Sequence, residues 1–131
     1  MERARIIIID DDPDISEAMK VVLEKNGYSV DIAKDGSEGL ERIKATNPNL
    51  IVLDVMMNKP DEGFVLSREL KGNPKYKQIP ILMITSIGQK VGLDFESAAG
   101  DETWLPVDGF LNKPVKPDAL LEKVKTLLHE Q

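Results

Sequence analysis

Four short apolar runs in this chain each end on a group that phosphoryl chemistry can use. Ile6 to Ile9 leads into Asp10, Asp11 and Asp12; Leu50 to Leu53 into Asp54; Ile81 to Ile84 into Thr85 and Ser86; and Phe110, Leu111 and Asn112 into Lys113 and Pro114. Carboxylates gathered at one place raise each other's pKa unless a cation intervenes. Hard oxygen ligands without His or Cys suit Mg²⁺, which takes one or two carboxylates and keeps waters or phosphate oxygens. A phosphoryl group on Asp54 would face a metal, a hydroxyl and an ammonium. Positioning and charge neutralisation are most of what phosphoryl transfer asks of a protein.

These groups meet only if the four runs are strands ending on one rim. Runs of four rich in Ile and Val read as strands buried on both faces. Between them the period becomes helical. Asp12 stands as N-cap before Pro13, and Ile15, Ala18, Met19, Val22 and Leu23 form one apolar face before Gly27. Tyr28 to Ala33 alternates like a strand, Asp35-Gly36-Ser37 is a turn, and Leu40 and Ile43 mark a helix ending near Asn47-Pro48. A helix from Gly63 to Leu70 is closed by Gly72-Asn73-Pro74, and Leu120, Leu121, Val124, Leu127 and Leu128 stripe a last helix behind Pro117.

This alternation predicts an α/β fold with a five-stranded parallel sheet, doubly wound in the flavodoxin-like order 2-1-3-4-5, with helices on both faces. Strand 1 then lies beside strand 3, about 4.8 Å away. Asp10, Asp11 and Asp54 crowd at the switch point where ligands of such sheets bind, and strands 4 and 5 deliver Thr85 and Lys113 to the same side.

The 131 residues leave room for one domain, spanning 1–131, and the chain is 41% hydrophobic and 31% charged, ordinary for a soluble fold. The absence of cysteine excludes a disulfide framework, a thiol nucleophile and a zinc-thiolate site. Four isoleucines between Arg5 and Asp10 are far too few for a signal segment or a membrane span, so a cytoplasmic protein without membrane insertion is expected. A net charge of −6 lacks the basic footprint of a nucleic-acid binder, so no direct nucleic-acid contact is expected. His129, near the end of the final helix, reads as a surface residue.

In their order and spacing, the pieces IIIIDDDP, LIVLDVMM, PILMITS and FLNKPV resemble the receiver domain of bacterial two-component response regulators, from Arg5 to about Leu128. The resemblance implies a signalling switch rather than an enzyme, in which Asp54 accepts a phosphoryl group from a sensor histidine kinase or histidine phosphotransfer protein. It implies that Asp11 ligates Mg²⁺ directly, Asp10 through water, and Met56 through its backbone carbonyl. Thr85 would be the switch hydroxyl, Lys113 would bind a phosphoryl oxygen, Phe110 would hold the place of the rotating aromatic, and Lys113-Pro114 would be a cis peptide.

The chain departs from the family pattern in two places. Asn58 stands where the family usually has proline, and Gly63 falls one place late, as a one-residue insertion near Asn58-Lys59-Pro60 would produce. The stretch from Thr85 to Lys113 is long and carries Trp104 with Leu93, Phe95, Leu105 and Pro106, which read as a cover for the sheet end or a partner site. No effector segment follows residue 131, so a stand-alone receiver whose output is contact with a downstream protein is expected. A degenerate receiver acting as a phosphorylation-independent scaffold is the alternative. An aspartyl-phosphate phosphohydrolase is disfavoured, because such enzymes usually carry an acid two residues after the nucleophile and that residue is Met56.

Overall fold

Four consecutive isoleucines, Ile6 to Ile9, are each completely buried, and so are Leu50 to Leu53. Side chains of a strand point alternately to opposite faces, so such runs need a sheet covered on both sides. The computed structural model, which describes residues 4–54, 62–85, 107–113 and 115–129, provides that cover. Its strands are β1 (Arg5–Ile9), β2 (Ser29–Ala33), β3 (Leu50–Asp54), β4 (Ile81–Thr85) and β5 (Gly109–Asn112). All pair in parallel, in the order β2-β1-β3-β4-β5 that the alternation predicts. The described helices are α1 (Pro13–Lys25), α2 (Gly36–Thr46), α3 (Glu62–Lys71) and α4 (Pro117–Leu127).

Strand alternation divides the interior into two cores. Ile6, Ile8, Leu50, Val52, Leu82 and Ile84 pack with Met19 and Leu23 of α1 and Leu120 and Val124 of α4. Ile7, Ile9, Ile51, Leu53, Ile81 and Met83 pack with Ile43 of α2 and Leu66 and Leu70 of α3. Burying one such side chain contributes about 1.5–3 kcal/mol relative to leaving it in water, so a one-residue slip of β1 or β3 would exchange the two sets and is strongly disfavoured.

Helix ends follow the expected chemistry. Asp12 is extended, and its carboxylate accepts the N–H groups of Asp14 and Ile15 at the start of α1. Asp35 does the same for Glu38 at the start of α2. Asn47, at φ 55°, closes α2 in the left-handed conformation that Asn tolerates. After α1, Gly27 at φ 92° donates to the Glu24 carbonyl and turns the chain toward β2.

Several details differ from the sequence reading: Gly36 and Ser37, expected in a turn, open α2, and α3 runs one residue further at each end than Gly63 to Leu70. Tyr28 lies outside β2, which begins at Ser29, and is buried at the foot of the sheet. The five-residue apolar face of α1 is not wholly core: Met19 and Leu23 are buried, while Ile15 and Val22 are half-buried and Ala18 is exposed. A helix stripe this wide cannot press entirely against one sheet face. Its outer flank instead lines, with Val115, Pro117 and Leu120, an open groove of about 290 Å³ between α1 and α4.

The opposite end of the sheet from the carboxylates is held by a polar clasp that sequence periodicity does not reveal. Lys71 Nζ lies 2.8 Å from Asp108 and donates to the carbonyls of Lys77 and Ile79. Asp108 Oδ2 also accepts the Ile81 N–H at 2.8 Å. This ties the end of α3 and the following turn to the starts of β4 and β5.

Close packing of α2 on β1 depends on Gly39, where an added Cβ would stand 2.6 Å from Ile9 Cδ1 and 3.2 Å from Ile9 Cγ2. Alanine gains up to about 1 kcal/mol of helix propensity over glycine, but overpacking costs about 1–3 kcal/mol. Gly39→Ala should therefore lower the urea midpoint, with a net loss of about 1 kcal/mol. An unchanged or raised midpoint would show that Ile9 moves aside without cost.

Candidate functional site

The register of the central strands brings the acids together. Ile9 of β1 pairs with Leu53 of β3, so the next residues, Asp10 and Asp54, leave neighbouring strands side by side. Both continue the alternation of Ile6, Ile8, Leu50 and Val52, toward the face covered by α1 and α4. Asp10 still donates its N–H to Ala33 across the sheet and is 2% exposed; Asp54 is 3% exposed. Asp11, by contrast, is exposed. One carboxylate oxygen from each of Asp10, Asp11 and Asp54 lies within 4.8 Å of the others. β5 supplies the counter-charge: Lys113 follows Asn112, and its Nζ reaches Asp54 Oδ2 at 3.2 Å.

Three carboxylates against one ammonium leave the pocket electronegative. Asp10 bears the consequence, its pKa pushed up to about 7 chiefly by burial, with the Asp54 charge adding to the rise. A hydrogen bond from the Asp12 N–H to Asp10 Oδ1, 2.9 Å long, and the Lys113 charge pull the other way without cancelling the rise. Among the described residues the second oxygen, Asp10 Oδ2, is buried without a hydrogen-bond partner. A buried acceptor left in this state is costly. A hard divalent cation would satisfy it and offset the excess charge, and an all-carboxylate donor set suits Mg²⁺.

Of the residues singled out from sequence, Asp10, Asp11, Asp54 and Lys113 converge on this pocket. Thr85 ends β4 opposite Asn112, which places its backbone on the same rim; its side chain lies outside the described residues, as do Met56, Asn58, Trp104 and Pro114. Phe110 is half-buried and packs on the core shared with α2 and α3. His129 is exposed. Asp12 caps α1 as expected, but its N–H bond to Asp10 was not anticipated. Nor was the burial of Ser16, whose hydroxyl bonds back to the Asp12 and Pro13 carbonyls. A serine four residues after a cap is a signal for such back-bonding.

Comparison with known proteins agrees with this geometry. Residues 6–125 match the family model described as the response regulator receiver domain. The chain belongs to the response regulator receiver family. The DNA-binding dual master transcriptional regulator RpaA of Synechocystis is 39% identical over 127 residues, covering 95% of this chain and 48% of its own. Among solved structures, the chemotaxis response regulator CheY4 of Vibrio cholerae superposes with a TM-score of 0.80 at 27% identity, covering 95% of this chain and 98% of its own. The signal receiver domain of a signal transduction histidine kinase from Syntrophus aciditrophicus gives 0.80 at 32% identity, covering 97% and 91%. The chain spans about half the length of the curated relatives it matches. Phosphorylation and Mg²⁺ binding are typical of receiver domains, which are signalling modules rather than classical enzymes. Among the described residues no helix is long and apolar enough to cross a membrane.

The raised pKa of Asp10 fixes the sign of a pH effect. An acid that titrates near 3.8 unfolded but at about 7 folded favours the folded state below its unfolded pKa, and that advantage is lost as pH rises through the folded value. Asp10→Asn keeps an oxygen for the Asp12 N–H and removes the titration. In Mg²⁺-free buffer its stability relative to wild type should climb between pH 4 and pH 7 and level off above, with a gain on the order of 1 kcal/mol at pH 8. Urea unfolding across that range measures it, and a difference independent of pH would contradict the assignment.

Proposed function

We propose that this receiver is a phosphorylation-dependent switch in which Asp54 is the acceptor. The observation that carries the reading is the buried Asp54 carboxylate, set beside Asp10 and Asp11 with the Lys113 ammonium 3.2 Å away. The donor is a phosphohistidine of a sensor histidine kinase or of a histidine phosphotransfer protein. An Asp54 oxygen attacks phosphorus, the new P–O bond forms as the P–N bond breaks, and the imidazole leaves with the bonding electron pair. Asp10, Asp11 and Asp54, with the Met56 carbonyl, would hold Mg²⁺. When bound, the ion neutralises charge on the phosphoryl oxygens.

Lys113 already contacts one Asp54 oxygen, Oδ2, and would exchange that contact for a phosphoryl oxygen. The Thr85 hydroxyl would close on the phosphoryl group from the neighbouring strand. That closure would provide the differential contact between two states that any switch requires. The output is contact with a downstream protein, in keeping with a surface that carries a net charge of −6 and no basic footprint.

Incubation with acetyl phosphate and Mg²⁺, followed by intact mass measurement, tests the reading. Wild type should gain one phosphate and Asp54→Asn none, and chelating the Mg²⁺ should suppress the addition. Labelling of Asp54→Asn at the wild-type rate, or a wild type that stays unmodified, would overturn it.

A further inference from the structure

Asp12 lies outside the group of carboxylates that can share an ion, yet every bond it makes runs toward that group or toward the helix that flanks it. Its backbone N–H donates to Asp10 Oδ1 at 2.9 Å. Its carbonyl accepts the Ser16 N–H and the Ser16 hydroxyl, both at 3.1 Å. Its carboxylate Oδ1 accepts the N–H of Asp14 at 3.0 Å and of Ile15 at 3.4 Å. Pro13 restricts the backbone of the residue before it to extended conformations, and Asp12 is at φ −94°, ψ 106°.

The peptide between Asp11 and Asp12 is therefore held from the α1 side, and the N–H on it selects which Asp10 oxygen is engaged. The other oxygen, buried Oδ2, is left without a partner among the described residues. Rotation of the Asp10 carboxyl would break the Asp12 bond.

We propose that Asp12 is a positioning residue for the cation site: by capping α1 it holds its own N–H on Asp10 Oδ1 and so presents Asp10 Oδ2 to the metal. The inference rests on the Mg²⁺ site proposed above. It assigns to the third aspartate of the run a role through geometry rather than through charge. Partners of this kind orient a ligand, and their loss typically weakens metal affinity by about 10–100-fold.

The test is Mg²⁺ titration by isothermal calorimetry at pH 8 on unphosphorylated protein, with circular dichroism confirming the fold. Asp12→Ala removes the cap bond. Asp12→Gly removes it too, at a helix cost of only a few tenths of a kcal/mol, and keeps the test intact where alanine unfolds the chain. Both should bind Mg²⁺ about tenfold more weakly than wild type. Asp12→Ser and Asp12→Asn restore a capping oxygen without the charge and should return affinity to within about threefold of wild type, well short of the loss expected on removing an orienting partner.

Equal weakening in all four variants would mean that the negative charge of Asp12 is what matters, and would overturn the proposal. Wild-type affinity in both Asp12→Ala and Asp12→Gly would also overturn it, while leaving the Mg²⁺ site standing. Absence of Mg²⁺ binding in the wild type would overturn both.

Discussion

Two buried carboxylates placed side by side are the constraint around which the rest of this molecule is arranged. The pairing of Ile9 with Leu53 leaves Asp10 and Asp54 no choice but to share one end of the sheet. That register is set by eight fully buried apolar side chains in β1 and β3, divided between two cores. The hydrophobic effect thus holds like charges together that would separate in water. The strain is visible at Asp10, which resists ionisation and keeps one oxygen unsatisfied among the described residues. Such a pocket gains from any cation that enters it.

The surrounding elements fit this arrangement. β5 supplies Lys113, whose side chain is 23% exposed while the Asp54 it meets is 3% exposed, so the pair is only partly shielded from solvent. In the function proposed above, exchanging this contact for a phosphoryl oxygen would not bury a bare charge. The same lysine also lines the groove between α1 and α4, as do Asp14 and Ile15. One residue therefore belongs to both the acidic pocket and the groove beside it. At the far end of the sheet, the Lys71 and Asp108 clasp ties the end of α3 to the entries of β4 and β5.

Most of the fold was legible because its signals are local and agree with one another. Ile-rich runs, the cap at Asp12 and the helix stop near Asn47 each carry a local physical reason, whereas Asp35, read with Gly36 and Ser37 as a turn, in fact caps α2. The acidic pocket was legible because strand order turns sequence positions into neighbours, so that Asp10, Asp11, Asp54 and Lys113 could be placed on one rim. What could not be read depends on how elements meet at a distance. The half-buried flank of α1 lines a groove with Val115, Pro117 and Leu120, residues distant from it in sequence. The Lys71 and Asp108 clasp joins residues 37 apart in sequence, with no periodic signature. The Asp12 to Asp10 bond needs the local turn geometry that only coordinates supply.

If repulsion in this pocket is what the cation relieves, metal binding must displace the proton that Asp10 holds. Calorimetric titration of Mg²⁺ in buffers of different ionisation enthalpy counts that proton directly. With the Asp10 pKa at about 7, binding at pH 7 should release about half a proton per ion, approaching none by pH 9. The released proton should vanish in Asp10→Asn. Binding that releases no proton at pH 7, or that releases the same amount from Asp10→Asn, would contradict the account.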